Sequence, residues 1–234
     1  MALYGTIVNG ILIIIGSSLG FLFTKIPERY KETIMQGIGL SVMLIGLQMA
    51  IAAENIIVVL LSLLTGAIIG EFFQLEKGLE SLGEWLSSKF ATSNTSDRMS
   101  QGFITASLIF VIGAMSIIGA LDSGIRGNHE VLITKGILDG FVALVLTTTL
   151  GFGVLFSVFP VVLYQGAITL LATQIDRLVP SAFLNGLIAE LTAVGGILIL
   201  AIGLNFLNIT TIRIGNLLPA VFTVGIIYYF YQLF

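Results

Sequence analysis

The 234-residue chain is too apolar for a water-soluble protein, because 56% of its residues are hydrophobic and only 10% are charged, against roughly 45–50% and about 25% in soluble domains. Its net charge of −3 and scattered basic residues exclude the clustered positive surface of a nucleic-acid-binding protein. The absence of cysteine excludes disulfides, thiol catalysis and thiolate metal sites. We therefore expect one transmembrane domain over residues 1–234, with the lipid bilayer as its partner.

Eight apolar segments follow one another, each close to the roughly 20 residues that a helix needs to cross a bilayer. They cover residues 6–24, 33–53, 56–73, 102–121, 131–150, 154–173, 182–204 and 214–231. The pattern predicts an all-α, polytopic transmembrane bundle of about eight spans. Only a few residues separate the second segment from the third and the fifth from the sixth, so both pairs are expected to form tight antiparallel hairpins. Seven spans is the alternative if one pair re-enters.

Two predicted features connect the third and fourth segments. Residues 74–90 place leucines and Trp85 at helical spacing, opposite a face of acidic and lysine side chains. This spacing is typical of an amphipathic helix that lies in the membrane interface. Residues 91–100 are small and polar, so we expect a flexible loop there.

An internal repeat is also visible. The residues from Gly39 to Gln48 resemble those from Gly196 to Asn205, and each stretch precedes an apolar segment that begins near a Leu-Leu pair. Duplicated helix pairs are one interpretation, and such repeats are common in secondary transporters. Chance similarity is the other, because glycine, leucine and isoleucine dominate membrane helices.

Lys135 and Asp139 are the most informative residues, since charged side chains inside hydrocarbon are costly and usually functional. They lie four residues apart in the fifth segment and therefore share one helix face. In the functional interpretation Asp139 accepts a proton or cation, and Lys135 is a displaceable counter-charge. The alternatives are an ion pair kept for specific packing and a lysine that reaches the membrane surface.

Glu190, in the seventh segment, has no opposite charge within one helical turn. We expect it to contact Lys135, an amide or water, or to carry a proton; an ordinary interfacial carboxylate is the alternative. Lys135, Asp139 and Glu190 together leave one excess negative charge. That balance favours a cationic guest or a proton.

Asn9 in the first segment and Gln165 in the sixth complete the predicted ion- or substrate-binding set of Lys135, Asp139, Gln165, Glu190 and Asn9. Hydrogen bonding between helices is the alternative for each amide. Pro160 is expected to kink the sixth helix. Other polar residues that we place in the lining include Ser17, Gln36, Gln48, Thr105, Ser116 and Thr147. No cofactor or metal site is expected.

Several of these stretches carry a resemblance to a known family, and they are residues 113–121, 135–140, 151–157, 164–166 and 195–205. Their order and content resemble the YqgA-type family of bacterial inner-membrane proteins, also called domain-of-unknown-function family 554. The resemblance implies a multi-pass protein of the bacterial inner (cytoplasmic) membrane and a loose link to biofilm formation. It implies no catalytic or substrate-binding residues.

Two functions fit the sequence. The first is a transporter or channel for a small ion or solute through the buried polar centre. The second is a non-transporting membrane scaffold or sensor linked to surface or biofilm behaviour, in which residues 74–90 recruit a partner. An enzyme is not expected, because no histidine lies in a span and no acid–base pair has a recognisable spacing. Glycines at helical spacing suit a homo-oligomer as well as packing within one chain.

Overall fold

The computed structural model describes residues 2–22, 28–78, 81, 96–112 and 114–233. All regular structure in this part of the chain is helical, which confirms the all-α prediction. The helices are α1 (Tyr4–Leu22), α2 (Glu28–Ala50), α3 (Ile56–Phe73), α4 (Ser96–Val111), α5 (Ala114–Ile125), α6 (Glu130–Leu150), α7 (Val158–Leu178), α8 (Ser181–Phe206) and α9 (Ala220–Tyr231). Short 3₁₀ helices at Gly151–Ser157 and Gly215–Leu217 precede α7 and α9.

Among the described residues, four helices are long and apolar enough to cross a membrane, or five if α4 and α5 form one bent span. The continuous run Glu130–Leu178 counts once in that number, and the apolar helices in α2 and around α9 fall short of the required length. Several helices are therefore candidate membrane spans by length and composition. The count of about eight is not confirmed.

Contacts divide the chain into two compact units. The first unit contains α1 and α4 to α7, and the second contains α3, α9 and nearly all of α2 and α8. Each unit has its own buried interior. The expectation of one membrane domain stays a prediction.

In the first unit, α1 and α6 run parallel. Gly5 of α1 packs against Leu132 near the start of α6, and Gly20 packs against the backbone of Leu144 farther along. The two helices approach most closely at Gly16, where an added methyl carbon would lie 1.9 Å from the carbonyl oxygen of Gly140. Glycine is required there because any side chain would force the backbones apart.

The helix α7 runs in the opposite direction to α1. Gly10 packs against Val162 in the first turns of α7, and Gly166, farther along α7, faces Leu3, which directly precedes α1. Since α6 is parallel to α1 and α7 is antiparallel to it, α6 and α7 run in opposite directions. Each packs against α1 and α5 rather than against the other, so they do not form the predicted tight hairpin. The chain reverses in the 3₁₀ segment, whose first residue, Gly151, has a φ of 73° that favours glycine.

The prediction of a continuous fourth span over residues 102–121 was wrong. The helix α4 ends at Val111, α5 begins at Ala114, and the two are bent by 56°. The Ser116 hydroxyl donates a hydrogen bond of 3.0 Å to the carbonyl oxygen of Phe110. Carbonyls in the last turn of a helix lack helical partners, so Ser116 stabilises the break by supplying one.

Two further local predictions need correction. Pro160 does not kink a helix, because it is the third residue of α7 and lies in the first turn, where no helical N–H bond is lost. The prediction of a loop over residues 91–100 was wrong for residues 96–100, since α4 begins at Ser96. Residues 91–95 lie outside the described part of the chain. So does most of the predicted interfacial helix, of which 75–78 form one helical turn.

In the second unit, the two repeated stretches pack against each other. A methyl carbon at Gly46 would lie 2.7 Å from the carbonyl oxygen of Gly196, and one at Gly203 would lie 2.8 Å from that of Gly39. In the repeat, Gly39 corresponds to Gly196, and Gly46 corresponds to Gly203. Gly46 therefore packs against the counterpart of Gly39, and Gly39 packs against the counterpart of Gly46. A local two-fold axis between two helices produces reciprocal contacts of this kind. The same contacts show that α2 and α8 are antiparallel.

The helices α3 and α9 follow the same arrangement. Gly66 packs against Ala220, and Gly70 packs against Asn216, so these helices are also antiparallel. The Thr223 hydroxyl donates to the carbonyl oxygen of Ser62 at 3.1 Å and links them within the second unit. The second unit therefore contains two antiparallel helix pairs, α2 with α8 and α3 with α9.

Candidate ion-binding site

Lys135 and Asp139 form a buried ion pair on α6. Each residue is 5% exposed, and the Lys135 Nζ donates to the Asp139 Oδ2. Asp139 is the tenth residue of a 21-residue helix, about 14 Å from its start. In a helix that crosses a hydrocarbon core about 30 Å thick from end to end, this position would be central. The lysine therefore turns towards its carboxylate rather than towards a surface.

Two amides join this pair from neighbouring helices of the first unit. Asn9 of α1 and Gln165 of α7 are both fully buried. The Asn9 Nδ2 donates to the Asp139 Oδ2 at 3.1 Å and to the Gln165 Oε1 at 3.2 Å. Four of the five predicted site residues therefore meet in one cluster, which connects α1, α6 and α7.

The broken helix borders this cluster. Phe110, in the last turn of α4, is fully buried, and its ring centroid lies 6.0 Å from the Lys135 Nζ. At that distance an aromatic face attracts a cation. Phe110 had no polar signature in the sequence, so analysis of charged and amide residues missed it.

Within the cluster, two polar atoms have no hydrogen-bond partner among the described residues. These atoms are the Asn9 Oδ1 and the Gln165 Nε2. Buried polar groups are nearly always paired, either within the protein or with ordered water. The unpaired amide atoms therefore indicate a place that water or an ion can occupy.

The unpaired groups continue along the helices in both directions. The hydroxyls of Thr6 and Thr169 lie one helical turn from Asn9 and Gln165, on the same side because α1 and α7 are antiparallel. On the opposite side of the cluster, the hydroxyls of Ser17 and Thr147 are also buried and unpaired. We call this set the polar row: Thr6, Asn9, Ser17, Lys135, Asp139, Thr147, Gln165 and Thr169.

Glu190 lies in the second unit, where it serves a different contact. It is fully buried, and its Oε1 accepts a hydrogen bond of 2.6 Å from the backbone N–H of Asn55. Asn55 in turn caps α3 by accepting from the N–H of Ile57 at 3.0 Å. The described hydrogen-bond partner of Glu190 is thus a backbone amide N–H at the positive end of a helix.

The Glu190 contact predicts a stability difference between two variants. Glu190→Leu removes the acceptor of the Asn55 N–H and is expected to destabilise the protein by about 1–3 kcal/mol. Glu190→Gln keeps an acceptor oxygen and is expected to have a smaller effect. Hydrogen exchange at the Asn55 amide measures this contact directly. Equal exchange rates in wild type and Glu190→Leu would contradict it.

Comparison with known proteins identifies the family of this chain. The family model described as "Protein of unknown function (DUF554)" matches residues 4–229, nearly the whole chain. The chain belongs to this family. The chain is also similar to "Uncharacterized membrane protein YdfK" of Bacillus subtilis (strain 168), with 35% identity over 223 residues, which cover 93% of this chain and 92% of the relative.

A second relative is "Uncharacterized protein YqgA" of Escherichia coli (strain K12), which is 29% identical over 220 residues, or 92% of each chain. No solved structure matches this DUF554 chain. The name of the Bacillus relative and the apolar helices agree that the protein is a membrane protein.

Proposed function

We propose that this protein is a transporter for a small ion or solute, whose route follows the polar row of the first unit. The observation that carries this proposal is the set of unpaired polar atoms on both sides of the Lys135–Asp139 pair. In hydrocarbon an unsatisfied polar group costs on the order of several kcal/mol. Water or a transported ion would remove that cost.

An alternating mechanism fits the polar row better than an open channel does. Ile13 is fully buried and lies on the face of α1 between Asn9 and Ser17. Its side chain separates the central cluster from the Ser17 and Thr147 hydroxyls. Apolar constrictions of this kind close a pathway by excluding water, so passage requires a change of conformation.

The repeats support the same mechanism. Asn9 and Gln165 are each followed by glycine and lie 156 residues apart, almost the separation of Gly39 from Gly196. Helices α1 to α3 then correspond to α7 to α9, and each corresponding pair is antiparallel within its unit. Inverted repeats with a broken helix beside the binding site are common in secondary transporters. With α4–α5 as one broken crossing and α6 as another, this arrangement gives eight crossings.

Flux measurements test the proposal. In vesicles reconstituted with purified protein, we expect a flux driven by a gradient of protons or alkali cations, and we expect Asp139→Asn to abolish it. The asparagine keeps the shape of the side chain but removes the charge that balances Lys135. The folded yield of each variant is measured beside the flux.

Asp122→Asn is the matched control. Asp122 pairs with Arg126 at 3.3 Å on α5, outside the polar row, and 75% of the arginine side chain is exposed. This variant is expected to keep wild-type flux. If Asp139→Asn and wild type carry equal flux, the polar row is not the route, and the scaffold interpretation gains support.

A further inference from the structure

The Lys135 ammonium holds the position in which a free cation would neutralise Asp139. We propose that the cluster is a site for a monovalent alkali cation, formed by the Asp139 carboxylate and the amide oxygens of Asn9 and Gln165, which an alkali cation occupies when Lys135 leaves. This inference rests on the proposed transport function and names the chemical class of its ligand.

The donor set has the right chemistry for such an ion. Its three side chains, Asp139, Asn9 and Gln165, supply one carboxylate and two amide oxygens, and all are at least nine-tenths buried. Carboxylate and carbonyl oxygens are the ligands of hard cations. The described residues contain no cluster of three or more acidic, histidine or cysteine groups. One carboxylate balances a single positive charge, so the alkali cation takes the place of the Lys135 ammonium, which must release its proton or reach solvent when it leaves. A divalent ion would leave an excess charge even then.

The orientation of the Asn9 amide explains why its Oδ1 has no partner in the lysine-bound state. Asn9 now directs its Nδ2 at both Asp139 and Gln165, which leaves its Oδ1 unpaired. A half-turn of this amide would bring the Oδ1 beside the carboxylate, an arrangement that is favourable only with a cation between the two oxygens. The Gln165 Oε1, which now accepts from Asn9, already faces this position and can stay there as the third ligand. The Asn9 Oδ1, unpaired in the lysine-bound state, then has the cation as its partner.

The paired Lys135 ammonium also contacts the broken helix. Phe110 lies within cation–π range of the Lys135 Nζ and offers its ring face to the ammonium. The aromatic ring belongs to the last turn before the break between α4 and α5. Cation binding at Asp139 would therefore be coupled to a contact of the broken helix.

Removing the lysine converts the lysine-bound site into a permanent alkali-cation site. In purified full-length Lys135→Met, we expect the melting temperature to rise with the concentration of sodium or potassium chloride at constant ionic strength, with choline chloride as the replacement salt. Ligands that bind only the folded state stabilise it in this concentration-dependent way. Binding of radioactive sodium to the same variant measures occupancy directly.

Two control variants make the result specific, and a third variant covers poor folding. Lys135→Met with Asp139→Asn should lose the salt-dependent rise, and Lys135→Met with Asn9→Leu should require a higher cation concentration for the same shift. Lys135→Gln replaces Lys135→Met if the methionine variant is poorly folded. A melting temperature that is the same in sodium, potassium and choline would overturn the proposal. Failure of both lysine variants to fold in every salt would also overturn it, since the cation should replace the missing charge.

The outcome separates this inference from the transport proposal. Cation-dependent stabilisation without flux in the wild type would retain the alkali site and remove the transport function. Flux that Asp139→Asn abolishes, without any alkali-cation effect on Lys135→Met, would retain transport and remove the alkali cation as ligand.

Discussion

Asp139→Leu is expected to destabilise the protein by about 3–5 kcal/mol, because it leaves the ammonium of Lys135 buried without its counter-charge. Lys135 is 5% exposed, and Asp139 is its described salt-bridge partner. The Asn9 Nδ2 also loses one of its two acceptors. The free energy of unfolding in detergent or bicelles measures the effect.

Lys135→Met combined with Asp139→Leu is the decisive companion to that single change. Replacing both members of a buried ion pair with apolar residues of similar volume is often neutral or stabilising, so we expect the double variant to recover most of the loss. If the double variant regains stability but does not transport, the ion pair is needed for transport and not for stability. A double variant as unstable as Asp139→Leu would show that the coupling energy lies elsewhere.

Gly16→Ala is expected to destabilise the protein by about 1–3 kcal/mol, as overpacking typically does. The added carbon would lie 1.9 Å from the Gly140 carbonyl oxygen, and that atom is backbone that has no rotamer with which to move away. The helices α1 and α6 must separate, which would also pull Asn9 away from Asp139. We expect the melting temperature to fall and any flux to fall with it.

Gly37→Ala is the matched control for the glycine contact. Gly37 also lies within a helix, but an added methyl there meets no atom within 4 Å. Alanine favours helix over glycine by about 1 kcal/mol, so this variant should be as stable as wild type or more so. If Gly16→Ala is equally well tolerated, the close parallel contact between α1 and α6 is wrong.

The helices were predictable because each is long and almost uniformly apolar. The third segment was predicted at residues 56–73 and is observed as the helix Ile56–Phe73. Its start was predictable because Asn55, which lies between the second and third segments, caps the helix. The break after Val111 was not predictable in the same way. Apolar residues continue through it, and the Ser116 hydroxyl that satisfies the Phe110 carbonyl becomes meaningful only when the chain is bent.

The central cluster was largely predictable because buried charges and amides cost free energy and are therefore rare in apolar helices. Lys135, Asp139, Asn9 and Gln165 stand out because charges and amides are rare in apolar helices, and the structure brings all four together. Phe110 and Thr169 were missed, because an aromatic ring and a single hydroxyl are ordinary in such helices. The Asn55 contact of Glu190 depends on where the α2–α3 turn falls, which periodicity does not specify.

Cysteine accessibility tests the central claim most directly, because the chain contains no native cysteine. Single variants Thr6→Cys, Thr169→Cys and Ser17→Cys place a thiol along the polar row, and Ala193→Cys places one in the apolar core of the second unit. If water reaches the row, a small charged thiol reagent in membrane vesicles will modify the three row positions much faster than position 193. Equally slow modification at all four positions would contradict a hydrated route and leave the ion pair as a packing element.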